Sequence, residues 1–292
     1  MVRGVPENQG HRGARALRPE NTLPGLAYAL ALGVDAIEFD VTLTADGGLV
    51  LTHDLVVSPE TTQDTGPATA GDPLFPYVGK PWRSLTLSQI ATLDAGDRRP
   101  AAPFEDTFTA VPGTAVPVLD DVCALVAGSG VTLAMELKTN PSWPDADVRE
   151  LTEAALATLA RHRLAGRARV LGFDWRVLRT AAATAPDVPR VALVEPRTWV
   201  PGSAWLAGLD PAGYGAGVIG CAAAARDAGA AWLSPWDFMT PPELVAAAHD
   251  AGLRIAVWTV NEPARMTEFI DMGVDGIVTD RPDLLGRLLA GA

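Results

Sequence analysis

The chain has 292 residues, 23 basic against 35 acidic side chains, a formal charge of −12 and 48% apolar composition. That is enough chain to bury one large α/β core or two ordinary ones, and the negative balance argues against non-specific binding to nucleic acid or an anionic bilayer surface. The longest uncharged run, from Pro211 to Ala225, has 15 residues and is rich in Gly and Ala, whereas a spanning helix needs ~20 strongly apolar ones.

In chain order, short apolar runs alternate with amphipathic stretches, the pattern of parallel βαβ units. The first expected strand, over 5–10, is the least regular, because VPENQG is polar where a buried strand should be apolar. Asn21 is placed to cap a helix whose Leu23, Leu26 and Leu30 share one face, with Gly33 ending it. A strand over 34–41 follows, and Asp46-Gly47 signals a hairpin into a short strand over 49–52. The stretch 55–118 then breaks the rhythm, with nine prolines in its 64 residues. It holds one credible helix, beginning at Thr86-Leu-Ser-Gln89, and so much chain between two strands reads as a small inserted subdomain.

Further strands are expected over 131–137, 168–173, 190–194, 230–234, 253–259 and 275–279. Between them, the helix over 145–163 has Val148, Leu151, Ala155 and Leu159 as its buried stripe. The irregular stretch 196–220 carries Trp199, Trp205 and Tyr214 and is placed to overhang a barrel mouth. Thr240-Pro-Pro-Glu243 has capping-box spacing with Gly252 closing that helix; Asn261 opens the next and Gly273 closes it. Eight strands in this alternation predict a (β/α)8 TIM barrel forming one domain over 1–292, including the Pro-rich insertion.

Two cysteines, Cys123 and Cys221, are too far apart in sequence for a metal cluster and read as buried free thiols. No basic segment followed by an apolar one precedes the polar chemistry, so Met1 reads as a cytoplasmic start. His162 and His249 fall in last helical turns, where the helix dipole favours a partly charged imidazole at the surface.

The remaining polar residues gather near strand ends. Glu38 and Asp40 are two apart on one strand, so they point the same way with Cα atoms ~6.6 Å apart. Two carboxylates inside a barrel repel, and either a hard cation, Mg²⁺ or Ca²⁺, resolves the conflict or one of them pairs with a lysine or caps an amide. Glu136 and Lys138 repeat the geometry on the next barrel strand, where a plain ion pair is the alternative to a third ligand and a rim cation. Both pairs lie at C-terminal strand ends, the face where such barrels carry active sites. The hairpin would fold His53 back beside Glu38 and Asp40. With His11, it supplies two imidazoles near one cation, suited to removing one proton and delivering another. Arg12 offers a guanidinium fitted to phosphate oxygens and, with Lys138, would hold a phosphodiester against the metal.

HRGARALRPENT (11–22), GVDAIEFDVTLTADGGLVLTHD (33–54), MELK (135–138), AVWTVN (256–261) and GVDGIVTDRPD (273–283) together resemble the glycerophosphodiester phosphodiesterases, in register over nearly the whole chain. The resemblance implies a TIM barrel with an insertion after the His-Asp pair. It also implies metal-dependent hydrolysis of glycerophosphodiesters to an alcohol and sn-glycerol 3-phosphate. By position, Glu38, Asp40 and Glu136 match the metal ligands, His11 and His53 the acid–base pair, Arg12 and Lys138 the phosphate contacts, and Trp258 the tryptophan beside the substrate. Glu20 and Asn21 fall near the site in that family; here they read first as supporting groups and a helix cap. The expected partner is a small-molecule diester bound with one divalent cation, without nucleic acid or membrane insertion. Two other readings are carried: a lysophospholipase D-like hydrolase, for which Leu74, Phe75, Tyr77 and Trp82, or Trp199 and Trp205, would line an acyl groove; and a non-catalytic barrel that binds glycerophosphate-type ligands.

Overall fold

The computed structural model describes residues 4–98, 104–215 and 217–291. Strands β1 (Glu7–Gly10) and β2 (Ala36–Leu43) are followed by three short strands outside the barrel, β3 (Leu49–Leu51), β4 (Gln63–Asp64) and β5 (Leu93–Asp94). Then come β6 (Thr132–Leu137), β7 (Ala168–Gly172), β8 (Arg190–Val194), β9 (Trp232–Pro235), β10 (Arg254–Val257) and β11 (Gly276–Thr279). The parallel order runs β1-β11-β10-β9-β8-β7-β6-β2, and pairing of Gln9 with Ala36 and Gly10 with Ile37 closes the ring. This is a (β/α)8 barrel, and each expected strand is present within a few residues of its expected span. β3 folds back antiparallel on β2, pairing Leu51 with Val41.

The polar first strand has a physical reason. Glu7 on β1 accepts two hydrogen bonds from Arg169 on β7, both 2.8 Å, and one from Arg254 on β10 at 3.2 Å. β1 and β7 are not neighbours, so these bonds cross the barrel interior. Arg169 and Arg254 also lie over the Trp232 ring, 4.2 and 4.0 Å from its centroid. Gln9 packs so closely on Gly276 that a Cβ there would come within 2.6 Å of its amide nitrogen. Asn8 faces outward and donates to the Pro282 carbonyl. Above this floor an apolar layer of Ala134, Leu171, Val191, Leu193, Trp232 and Ala256 fills the barrel.

The helices cover the outside with the expected stripes; in Asp145–Arg161 the buried set includes Val148, Leu151, Ala155 and Leu159. Gly33, Gly252 and Gly273 take positive φ at or just past the ends of their helices, as expected. Three caps differ. The helix Leu23–Ala31 is capped by Thr22, whose hydroxyl accepts from the Gly25 amide at 3.2 Å, not by Asn21. The helix Pro242–Asp250 has no side-chain cap, because the Thr240 hydroxyl donates to the Trp236 carbonyl instead. Nor does Asn261 cap the helix Pro263–Met272. Asn21 and Asn261 are instead bound to carboxylates at the barrel mouth.

The described residues of the segment 55–118 pack around an apolar cluster shared with Val50, in which Val57, Tyr77, Trp82, Leu85, Ile90 and Leu93 are buried. Its helix is short, Leu87–Ile90, begins where expected and opens with a capping box between Thr86 and Gln89. Asp94 ties the segment together, accepting from the backbone amides of Gly96, Gly113 and Thr114. Both cysteines are free and buried, and burial pushes the Cys123 thiol up to about 11. His162 pairs with Asp120 and His249 with Asp275 on the outer layer. No helix among the described residues is long and apolar enough to cross a membrane.

Candidate active site

Strand alternation brings the predicted residues to one end of the barrel. Glu38 and Asp40 point inward from β2 and Glu136 from β6, with Asp40 and Glu136 in register across the two strands. Each of these three buried residues offers a carboxylate oxygen within 4.8 Å of the others. Lys138, one pleat beyond Glu136, donates to Glu136 Oε1 at 2.6 Å and lies 3.4 Å from Asp40 Oδ1. Arg12 donates to Glu20 at 2.8 Å through its guanidinium, and its backbone amide donates to Glu38 at 2.8 Å. Its Nε is buried without a hydrogen bond, 3.3 Å from Asp40 Oδ2.

The turn after β1 is built to make these contacts. Arg12 sits at φ 49 and Gly13 at φ 91. Gly13 donates to the Glu38 carbonyl, and a Cβ on it would lie 2.9 Å from the Gly25 backbone, so a larger residue would displace the helix or the turn.

His11 follows β1 and its Nδ1 lies 2.6 Å from Asp280 Oδ1. A carboxylate only accepts, so Nδ1 carries the proton and Nε2 turns its lone pair to the chamber, 3.9 Å from Glu38 Oε2. Asp280 is held in turn by Asn261, which donates to its Oδ2 at 2.8 Å. Asn21 likewise donates to Asp40 Oδ2 at 2.9 Å and accepts from the Asp40 amide. His53 is half-exposed and its Nδ1 lies 2.9 Å from Asp54 Oδ1. Trp258 donates to the Ser234 carbonyl and stands edge-on to Phe173, ring centroids 5.4 Å apart.

All eight sequence-predicted residues therefore converge on one mouth. Asp280, Phe173 and Asp54 join them beyond the sequence expectation, and Asp280 stands in TDRP, a carboxylate just past a barrel strand. Asn21 and Asn261 serve the mouth and not the helix starts expected of them; a polar side chain beside a strand end can serve either, and sequence spacing does not distinguish them. Of the three aromatics expected to overhang the mouth, only Trp205 lines the groove there. Trp199 and Tyr214 pack against the outer core. Tyr77 and Trp82 are buried within the segment's cluster and Leu74 packs against it, so the insertion provides no acyl groove from them.

Two adjoining spaces with shared walls open at the mouth. The inner chamber, about 50 Å³, is bordered by His11, Arg12, Glu38, Glu136, Ser234 and Trp258. The outer groove, about 410 Å³, shares His53, Glu136 and Phe173 with it.

The electrostatics are unbalanced. Burial first, then repulsion from Asp40 and Glu136, pushes the Glu38 carboxyl well above the usual range. Burial also raises Glu136, with Lys138 opposing it. Asp40 goes the other way: burial resists its ionisation, but Lys138 and Arg12 together hold it well below the usual range. Burial lowers the His11 imidazole, against the pull of Asp280. Two cations thus face three carboxylates, and Arg12 only partly offsets the burial and crowding of Glu38. Three buried hard oxygen donors with one charge uncompensated fit a hard divalent cation.

The family model for the glycerophosphoryl diester phosphodiesterases matches residues 11–284. The chain belongs to that family. Membership makes it a phosphoric diester hydrolase. A glycerophosphodiester phosphodiesterase of Caldanaerobacter subterraneus subsp. tengcongensis is 29% identical over 285 residues, 96% of each chain. A solved structure from Silicibacter pomeroyi DSS-3, provisionally classed as a glycerophosphoryl diester phosphodiesterase, is 34% identical with a TM-score of 0.84 and covers 98% of this chain and 94% of that one. An Oleispira antarctica phosphodiesterase solved in complex with the product sn-glycerol-3-phosphate shares the fold at 22% identity, TM-score 0.72, over 99% and 98% of the two chains.

Proposed function

We propose that this family member hydrolyses glycerophosphodiesters to an alcohol and sn-glycerol 3-phosphate, with one divalent cation, Mg²⁺ or Ca²⁺, held by Glu38, Asp40 and Glu136. The observation that carries the reading is the convergence at one barrel mouth of three crowded carboxylates, two cations and two imidazoles. Relatives named for this reaction support the choice of substrate. When bound, the cation supplies charge to offset that building on the phosphoryl oxygens.

The protein's own groups would do the rest. Arg12, with an unbonded Nε, and Lys138 hold the phosphoryl oxygens. Trp258 packs beside the glycerol. His11 accepts the proton of the attacking oxygen at Nε2, and Asp280 holds the ring in the tautomer that permits it. As the bond between phosphorus and the departing oxygen breaks, His53 delivers a proton to that oxygen. Its place on the border between chamber and groove supports that role.

The test is release of sn-glycerol 3-phosphate from glycerophosphocholine and glycerophosphoethanolamine, with and without EDTA. Product is expected only while the cation is present. Turnover that survives complete cation removal would overturn the metal assignment, and inertness toward every diester would overturn the substrate.

A further inference from the structure

The inner chamber, about 50 Å³, is the smaller of the two spaces at the mouth. The two spaces share His53, Glu136 and Phe173 as walls, so a diester seated in the chamber can extend one ester arm into the outer groove. That groove, about 410 Å³, is walled by Leu55, Val56, Leu137, Phe173 and Trp205. Val56, 41% exposed, presents a bare apolar surface there.

The charged groups of the groove already have partners. Asp54 pairs with His53 at 2.9 Å and Glu136 with Lys138 at 2.6 Å. Lys138 Nζ also lies 6.0 Å from the centroid of the Phe173 ring, so a cation already sits at one of the groove's two aromatic rings, Phe173 and Trp205. The groove therefore has little to offer a cationic head group and much to offer a hydrocarbon. The glycerol arm carries two hydroxyls, whose burial without partners is costly, and it belongs with the polar lining of the chamber at Arg12, Glu38 and Ser234.

We infer that the outer groove is the leaving-group subsite and that it selects diesters whose alcohol is apolar, alkyl or aryl, over choline and ethanolamine. This rests on the hydrolysis proposed above and adds the class of alcohol released.

The experiment is kcat/KM of the full-length, cation-loaded protein on glycerophosphodiesters of ethanol, butanol and hexanol, beside glycerophosphocholine, together with calorimetric binding of the same esters. The expected result is a rise of about fourfold per added methylene, with the hexyl ester preferred to the choline ester. Trp205→Ala and, on the exposed wall, Val56→Ser should each lower the hexyl-to-ethyl ratio. If Trp205→Ala does not fold, Val56→Ser still decides. A flat series, or choline preferred, overturns the subsite while leaving the reaction intact. Faster turnover of a lysophospholipid bearing its chain on the glycerol overturns the assignment of arms. A protein that binds the hexyl ester over the choline ester but cleaves neither keeps the subsite and overturns the reaction.

Discussion

At one end of the barrel Glu7 lies between Arg169 and Arg254, while at the other Glu38, Asp40 and Glu136 lie against one another. Both groups are inside the same eight strands, and of their members only Arg254 is exposed. In the first, one carboxylate accepts a fork of two bonds from Arg169, and both guanidiniums rest on Trp232. The charges there are satisfied within the chain, and the cluster does what a buried ion pair can do, fixing the floor of the barrel. In the second, three carboxylates share two cations, and Glu38 is driven far from its ordinary protonation range. Such crowding lowers stability unless something outside the chain joins it. The difference separates charge that serves the fold from charge that waits for a ligand.

The comparison breaks most visibly if cations are removed. Chelation, or Asp40→Asn, should lower phosphodiester turnover by about three orders of magnitude or more, because a missing ligand removes charge stabilisation worth several kcal/mol; the check is product release against free cation concentration. His11→Ala and His53→Ala should each cost about 10²–10⁴-fold in kcat, with the fold intact by circular dichroism. A variant retaining parental kcat would remove that histidine from the reaction.

At the opposite end, Glu7→Gln should leave activity per folded molecule nearly unchanged but lower stability by about 3 kcal/mol, since it strands Arg169 in the barrel. Denaturant unfolding reads this directly. Glu38→Gln sharpens the contrast. Burial and its neighbours raise the Glu38 pKa above 4.5, so without cation the folded state holds a proton that the unfolded chain releases. The native protein then loses stability as pH rises from 4.5 upward. In EDTA, Glu38→Gln should melt above the parent at pH 8 and close to it at pH 4. Melting below the parent at pH 8 would show that Glu38 is not strained.

Much of this was legible before the fold. The paired carboxylates at strand ends, HRG and the hairpin leading to His53 each carry local chemistry that two-residue alternation turns into direction. The helix-ending glycines were legible too, because positive φ is a local demand. The caps were not. Asn21, Thr240 and Asn261 have the side chains a helix start uses, yet each found a partner elsewhere, and which partner wins depends on distances that only folding creates. The aromatics of the insertion read equally well as a groove or a core, since an apolar side chain carries no mark of which apolar surface it meets.

The sequence alone determined the alternation of strands and helices, the types of group at each strand end, and the excess of acid over base at the site. It could do so because these depend on residues a few positions apart. Closure of the ring decided the rest: that polar Glu7 and Gln9 suit a buried strand, that Asp280 stands behind His11, and that Trp205 rather than Trp82 faces the mouth. Each of those is a contact between residues far apart in the chain, fixed by packing around a common axis and not by either residue's own preference.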